Sequence, residues 1–160
     1  MVGYHTKIKK KCNNCRCTNC ISMDIQYLVI HCSATKPSMD TDAATIKEWH
    51  LDRGFSDIGY HYIIKRNGEV ETGRSEDTQG AHALGYNDRS LGICLIGGVT
   101  EDDHTVGENN FTDDQWNSFA HLIEQLEDKY LGAKIIGHNE ISKKFCPSFN
   151  VQQWNNDRAN

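Results

Sequence analysis

Hydrophobic and polar residues follow two different spacings along this chain, and the changes of spacing mark the expected strands and helices. A strong hairpin-turn signal, Asn67-Gly68, follows one strand-like segment, so residues 69–71 are expected to return as its antiparallel partner. The apolar runs are short and nearly continuous, as in strands buried on both faces of a sheet. The strand-like segments are residues 25–32, 60–65, 91–97 and 133–137.

Helical spacing first appears after Asp42, where Thr41-Asp42 provides an N-cap for a helix expected to run to about Arg53. Gly54 follows as the stop signal. His50 on this helix is interpreted as a surface or packing residue and not as a ligand. The residues predicted to face the core from this helix are Ile46, Trp49 and Leu51.

A second, longer helix is predicted to start at a capping box formed by Thr112 and Gln115 and to run to about Tyr130. Its apolar residues fall on one stripe, which indicates a face packed against the core and not a cofactor site. Gly132 ends this helix, and a final short helix is expected around residues 151–154. The stripe consists of Trp116, Phe119, Ala120, Ile123, Leu126 and Tyr130.

Strands interleaved with helices predict an α/β fold, a single domain with a central, mostly mixed β-sheet flanked by helices. The chain of 160 residues is long enough to bury the core of one such domain, which we place at residues 24–160. No segment approaches the ~20 apolar residues needed to span a bilayer, and no apolar segment follows the basic N-terminus as a secretory signal requires. We therefore expect a protein that is made in the cytoplasm and that reaches any substrate outside it by another route.

Charge is unevenly distributed along the chain. The first 20 residues carry five basic side chains and no acidic one, although the whole chain has a net charge of −5. The rest of the chain is therefore strongly acidic. This argues against direct nucleic-acid binding, which needs a basic face for phosphate.

Residues 1–23 are predicted to form a short basic, cysteine-rich N-terminal arm. In a cytoplasmic protein, clustered cysteines favour metal binding over disulfides. Two interpretations fit the arm: a second, structural zinc site closed by four thiolates, or a flexible tail whose thiols have no specific role. The single residue between the two Cys-x-x-Cys pairs is shorter than the spacer of ordinary zinc ribbons. The four cysteines are Cys12, Cys15, Cys17 and Cys20.

Three residues that are good zinc ligands stand at the ends of predicted strands or in a turn. His31 ends the first apolar run, His138 follows the last one, and Cys146 precedes a proline. Two imidazoles and one thiolate leave a tetrahedral zinc ion one open position, which is typical of catalytic sites. Each residue also has an ordinary explanation as a hydrogen-bonded histidine or a small buried cysteine. Cys32 should point to the opposite face from His31 and is not expected to bind the metal.

Six short segments of the chain, taken in order, resemble a single family. They are HCSATKP at 31–37, GYHYIIKRNG at 59–68, GAHA at 80–83, GYN at 85–87, SLGI at 90–93 and CPSF at 146–149. The chain is similar in these segments to the type-2 N-acetylmuramoyl-L-alanine amidases, which are related to the peptidoglycan-recognition proteins. Within that family it resembles the phage lysozymes of the T-seven type. The arm has no counterpart in the resemblance.

This resemblance implies a zinc-dependent phage endolysin that hydrolyses the amide bond between N-acetylmuramic acid and L-alanine in peptidoglycan. It implies His31, His138 and Cys146 as the ligands of one catalytic Zn²⁺, in agreement with the spacing argument. It also implies that Tyr60 and Lys144 are catalytic. His82 has two interpretations, either a residue that lines the groove and binds substrate or a side chain held by a structural hydrogen bond.

Two other functions stay open on the sequence alone. One is a non-catalytic peptidoglycan-binding module, and the other is a regulator of phage RNA polymerase, because phage lysozymes of this type resemble proteins that also bind this enzyme. We expect bacterial peptidoglycan as the main partner, and a monomer. We also expect a bacteriolytic, antimicrobial protein that accumulates in the host cytoplasm and reaches the cell wall after holin-mediated release.

Overall fold

The computed structural model describes residues 23–160. The predicted arm, including Cys12, Cys15, Cys17 and Cys20, lies outside these residues except for Met23. The strands found in the described part of the chain are β1 (Tyr27–Cys32), β2 (Tyr62–Ile64), β3 (Val70–Thr72), β4 (Ser90–Leu95) and β5 (Lys134–Gly137). The α-helices found there are α1 (Ala43–Asp52), α2 (Asp113–Lys129) and α3 (Val151–Ala159).

The strands form one mixed sheet in the order β3-β2-β4-β1-β5. β1 is parallel to both β4 and β5, and β2 is parallel to β4, whereas β3 runs antiparallel to β2 as the hairpin signal predicted. Every residue of β4 is buried, which explains its unbroken apolar run. The predicted α/β fold with a mixed sheet flanked by helices is confirmed.

Alternate residues of the central strands divide the core into two layers. Ile30 and Cys32 of β1 belong to the larger layer, together with apolar residues of α2 and α3. Ile63 of β2 belongs to the smaller layer, which contains Ile46 of α1. The sheet is therefore covered on both faces. His31, which lies between Ile30 and Cys32 on β1, points away from the larger layer.

Helix α1 begins as predicted, because the Asp42 side chain accepts a hydrogen bond from the backbone N–H of Thr45 at 2.9 Å. The inward position predicted for Leu51 is wrong, since this side chain is 44% exposed. His50 is buried instead, and its Nδ1 accepts a hydrogen bond from the backbone N–H of Gly59 at 2.8 Å. The buried face of α1 is thus rotated by one residue from the predicted one.

Helix α2 has the predicted capping box between Thr112 and Gln115. Gln115 also donates from Nε2 to the backbone carbonyl oxygens of Ile64 and Ile96, at 3.1 and 2.8 Å. A completely buried amide therefore connects the first turn of α2 to the ends of β2 and β4. Within residues 23–160, no helix is both long enough and apolar enough to cross a membrane.

Phe119 is the central side chain of the larger layer and is 0% exposed. It stacks on Trp154 of α3 with ring centroids 4.2 Å apart. Phe119→Ala is expected to lower the free energy of unfolding by about 3–5 kcal/mol, because it leaves a cavity between α2 and α3. Chemical denaturation measures this change. Leu131→Ala is the control, because Leu131 is 87% exposed and its loss should change stability by less than ~0.5 kcal/mol.

Candidate metal centre and active site

Two histidines meet at one edge of the sheet because β1 and β5 are parallel neighbours. Ile30 of β1 is paired with Gly137 of β5, so the next residue on each strand, His31 and His138, emerges at the same edge. His138 opens a short 3-10 helix, His138–Glu140. The two imidazole rings lie with their centroids 4.5 Å apart. Strand pairing alone therefore places side chains more than 100 residues apart in direct contact.

Cys146 joins the two histidines from the loop that precedes α3. Its Sγ lies 3.8 Å from His31 Nδ1 and accepts a hydrogen bond from the backbone N–H of Cys32 at 3.2 Å. One donor atom from each of His31, His138 and Cys146 lies within 4.8 Å of the other two. His31 is 1% exposed, and the other two residues are each 9% exposed.

This donor set can hold a transition-metal ion. Burial, followed by the charges of His82, His138 and Lys144, lowers the pKa of His31 well below its usual value. Burial and Lys144 likewise lower the pKa of His138. Both rings are therefore neutral at neutral pH and have a lone pair to offer. Two neutral imidazoles and a cysteine that has no disulfide partner within residues 23–160 form a typical zinc-binding set.

The three residues open onto a cleft of about 440 Å³, whose walls include the predicted catalytic residues Tyr60 and Lys144. The Tyr60 ring lies 5.1 Å from the His31 ring, centroid to centroid. Burial, followed by the neighbouring cysteines, raises the pKa of Tyr60 well above its usual value. The phenol therefore stays protonated and can act as a hydrogen-bond donor, not as a base.

Lys144 is exposed at the mouth of the same cleft, two residues before Cys146. Its positive charge contributes to the lowered pKa values of both His31 and His138. Lys143, the preceding residue, does not line the cleft. Of the two adjacent lysines, only Lys144 lines the cleft.

His82 lies in the cleft wall and also contacts His31. The distance from His31 Nε2 to His82 Nδ1 is 2.8 Å, and His82 Nε2 lies 3.3 Å from Ser90 Oγ. Burial, followed by the charges of His61 and His138, lowers the pKa of His82 to about 3, so this ring is neutral as well. His82 therefore forms hydrogen bonds within the protein and also lines the cleft, so the structure is compatible with both interpretations of this residue from the sequence.

Several cleft residues carry no sequence signal of a site. Trp49 and Arg53 come from the end of α1, and Phe55 and Leu84 come from loops. Arg53 was predicted only as the approximate end of a helix, and Trp49 only as a core residue. Both reach the cleft because α1 crosses the face of the sheet on which His31 lies, a relation that depends on packing and not on local pattern.

The model of the family described as N-acetylmuramoyl-L-alanine amidase matches residues 21–149. The chain is similar to the endolysin of Escherichia phage T7, at 46% identity over 127 residues that cover 79% of this chain and 83% of the relative. It is also similar to peptidoglycan-recognition protein SC2 of Drosophila melanogaster, at 30% identity over 144 residues, or 84% and 73% of the two chains.

A solved structure with a similar fold is the N-acetylmuramoyl-L-alanine amidase LysC from Clostridium intestinale URNW. It aligns with a TM-score of 0.71 and 28% identity, covering 83% of each chain. The likeness in fold therefore extends over most of both chains.

Proposed function

The chain belongs to the N-acetylmuramoyl-L-alanine amidase family, and from this premise we propose that it is a zinc-dependent phage endolysin. In this proposal it hydrolyses the amide bond between the lactyl group of N-acetylmuramic acid and L-alanine of the peptidoglycan stem peptide. The observation that carries the proposal is the meeting of His31, His138 and Cys146 at the floor of an open cleft.

The residues present fit a catalytic zinc ion. His31 and His138 would each offer a neutral imidazole nitrogen, and Cys146 would offer a thiolate that accepts the Cys32 backbone N–H. Three protein donors leave a fourth position open, as in catalytic zinc sites. When bound, zinc supplies Lewis-acid chemistry and lowers the pKa of water towards ~7.

The cleft residues supply the rest of the chemistry. Lys144 is placed at its mouth to stabilise the negative charge that develops on the scissile carbonyl oxygen. Tyr60 holds its phenolic proton and can donate a hydrogen bond that orients the attacking water or the carbonyl. A second cation in the wall, Arg53, suits a stem peptide that carries carboxylate groups.

A peptidoglycan-binding module without catalysis would use the same cleft. Such a module needs shape and polar contacts with the muropeptide, but it does not need a thiolate beside two neutral imidazoles. The donor set therefore favours the hydrolase. Regulation of a phage RNA polymerase stays a separate prediction, and a pull-down with the polymerase tests it independently of amidase activity.

The products released from purified peptidoglycan test the proposal. Incubation with the zinc-loaded full-length protein should release new L-alanine amino termini in step with the loss of turbidity. The number of reducing sugar ends should stay constant, because no glycosidic bond is cut. New reducing ends without new amino termini would identify a glycosidase, and binding to peptidoglycan with neither product would identify a binding module.

A further inference from the structure

We propose that His82 is a positioning residue for the metal centre: it orients His31 through the hydrogen bond between His31 Nε2 and His82 Nδ1. The inference rests on the proposed function, because it concerns the ring that would hold the zinc ion. It assigns to His82 a role in metal retention, which differs from contact with the substrate.

The two nitrogens of His31 face different partners. Nδ1 lies 3.8 Å from Sγ of Cys146, another of the three proposed ligands, and is therefore the nitrogen that would bind the metal. Nε2 lies 2.8 Å from His82 Nδ1. A metal ion on Nδ1 requires the proton of His31 to be on Nε2, so His31 donates and His82 Nδ1 accepts.

The hydrogen bond from His31 also determines which nitrogen of His82 carries the proton. Because its Nδ1 accepts, the neutral ring carries its proton on Nε2, which lies 3.3 Å from Ser90 Oγ. Ser90 is the first residue of β4 and is completely buried. A directed row of hydrogen bonds therefore runs from His31 through His82 to a fixed hydroxyl group in the sheet.

The position of the His82 ring is set by its neighbours. A Cβ atom on Gly80 would lie 2.6 Å from His82 Cδ2, and one on Gly92 would lie 2.6 Å from His82 Cγ. The ring thus occupies a slot that two glycines leave open. Asn87 Oδ1 accepts hydrogen bonds from the backbone N–H groups of His82 and Ala83, each at 2.9 Å, and holds the segment that carries the ring.

A metal-binding histidine commonly donates its second N–H to a carboxylate, a backbone carbonyl or water. Here the acceptor is a neutral imidazole, which fixes the orientation of His31 without adding negative charge beside the buried site. Loss of such a partner typically weakens metal binding ~10–100-fold. The proposal therefore predicts a loss of zinc affinity of this size when His82 can no longer accept the hydrogen bond.

The test uses two substitutions of similar size. His82→Leu removes the acceptor, whereas His82→Asn keeps an oxygen acceptor close to the position of Nδ1. Both are made in the full-length chain with the four arm cysteines, Cys12, Cys15, Cys17 and Cys20, changed to serine, so that their thiols do not bind zinc. The zinc dissociation constant is measured by competition with a chelator of known affinity, which does not depend on catalysis.

His82→Leu should raise the zinc dissociation constant ~10–100-fold, and His82→Asn should recover most of that loss. Thermal unfolding of the metal-free proteins shows whether each variant folds like its parent. Unchanged zinc affinity in His82→Leu, with a raised KM for peptidoglycan, would make His82 a substrate contact and overturn the proposal. Equal losses in both variants would overturn it too, since the effect would then come from packing.

The proposed function can fail separately. If the four-serine parent with an intact His82 binds no zinc, the zinc-dependent amidase is itself contradicted. If the parent binds zinc and releases L-alanine amino termini while His82→Leu matches its affinity, only the role of His82 is contradicted.

Discussion

Cys146→Ser is expected to abolish zinc retention and amidase activity together. The substitution replaces a thiolate with a hydroxyl group that is a poor zinc ligand, and it leaves only His31 and His138. Activity should fall by more than about a hundredfold, since even the outer partners of metal ligands matter ~10–100-fold. Metal analysis of the purified protein and release of L-alanine amino termini measure the two effects. His31→Ala should give the same result.

The control for this substitution is Cys94→Ala. Cys94 on β4 is buried, is paired in register with His31 and has no disulfide partner within residues 23–160. Its sulfur is not one of the converging donors found there. Its loss should leave the zinc content of the site unchanged. Full lytic activity in Cys146→Ser or His31→Ala would contradict the proposed metal centre.

Lys144→Ala and Tyr60→Phe are expected to lower kcat while zinc stays bound. Lys144→Ala removes the cation that would stabilise the developing oxyanion, and loss of one such group typically costs ~100–1000-fold in kcat. Tyr60→Phe removes the protonated hydroxyl group that donates in the cleft, and loss of one such hydrogen-bond donor typically costs ~100–1000-fold in kcat. Steady-state kinetics on purified peptidoglycan, with zinc content measured on the same samples, separates turnover from metal loss.

The chain supplies its own control in Lys143, which neighbours Lys144 but does not line the cleft. Lys143→Ala should have nearly unchanged kcat and zinc content. If Lys144→Ala or Tyr60→Phe loses zinc, the role of that residue is to maintain the site and not to act on substrate. Equal losses of activity in the two lysine variants would indicate a general effect of surface charge.

The sheet could be predicted because its signals are local. Continuous apolar runs, the Asn67-Gly68 turn and the Thr112 capping box each act over a few residues, and the elements form where these signals occur. Boundaries were less accurate. β4 ends at Leu95, before the predicted 97, because Gly97 and Gly98 adopt positive φ angles of 125° and 96° and turn the chain away.

Other errors arise where packing, not pattern, decides. Leu51 is exposed because the angle at which α1 lies on the sheet buries His50 instead. An apolar residue near the end of a helix does not by itself reveal that angle. Helix α3 extends to Ala159, beyond the predicted 154, although few of its residues are apolar. The helix has no apolar stripe and is stabilised instead by the contact of its Trp154 with Phe119 and by its packing against β5.

The candidate site was partly predictable for a similar reason. Histidines that follow apolar runs can be recognised in the sequence, and parallel strands bring their ends to the same edge of a sheet. The proximity of His31 and His138 could therefore be predicted from the sequence. The contact between His31 and His82 could not. This contact depends on the path of the loop that carries His82. Gly80 and Gly92 leave space for the ring and Asn87 holds the loop backbone, but nothing in the sequence shows that these three residues lie around the same side chain.

The pairing of β1 with β5 also bears on synthesis of the protein. Residues 27–32 find the second of their two partner strands only at 134–137, and the cysteine of the candidate site comes later still, at position 146. A nascent chain on the ribosome therefore cannot assemble the proposed metal centre until nearly all of the domain has emerged. Truncated translation products that end before Cys146 lack one of the three proposed zinc donors and are expected to have no amidase activity.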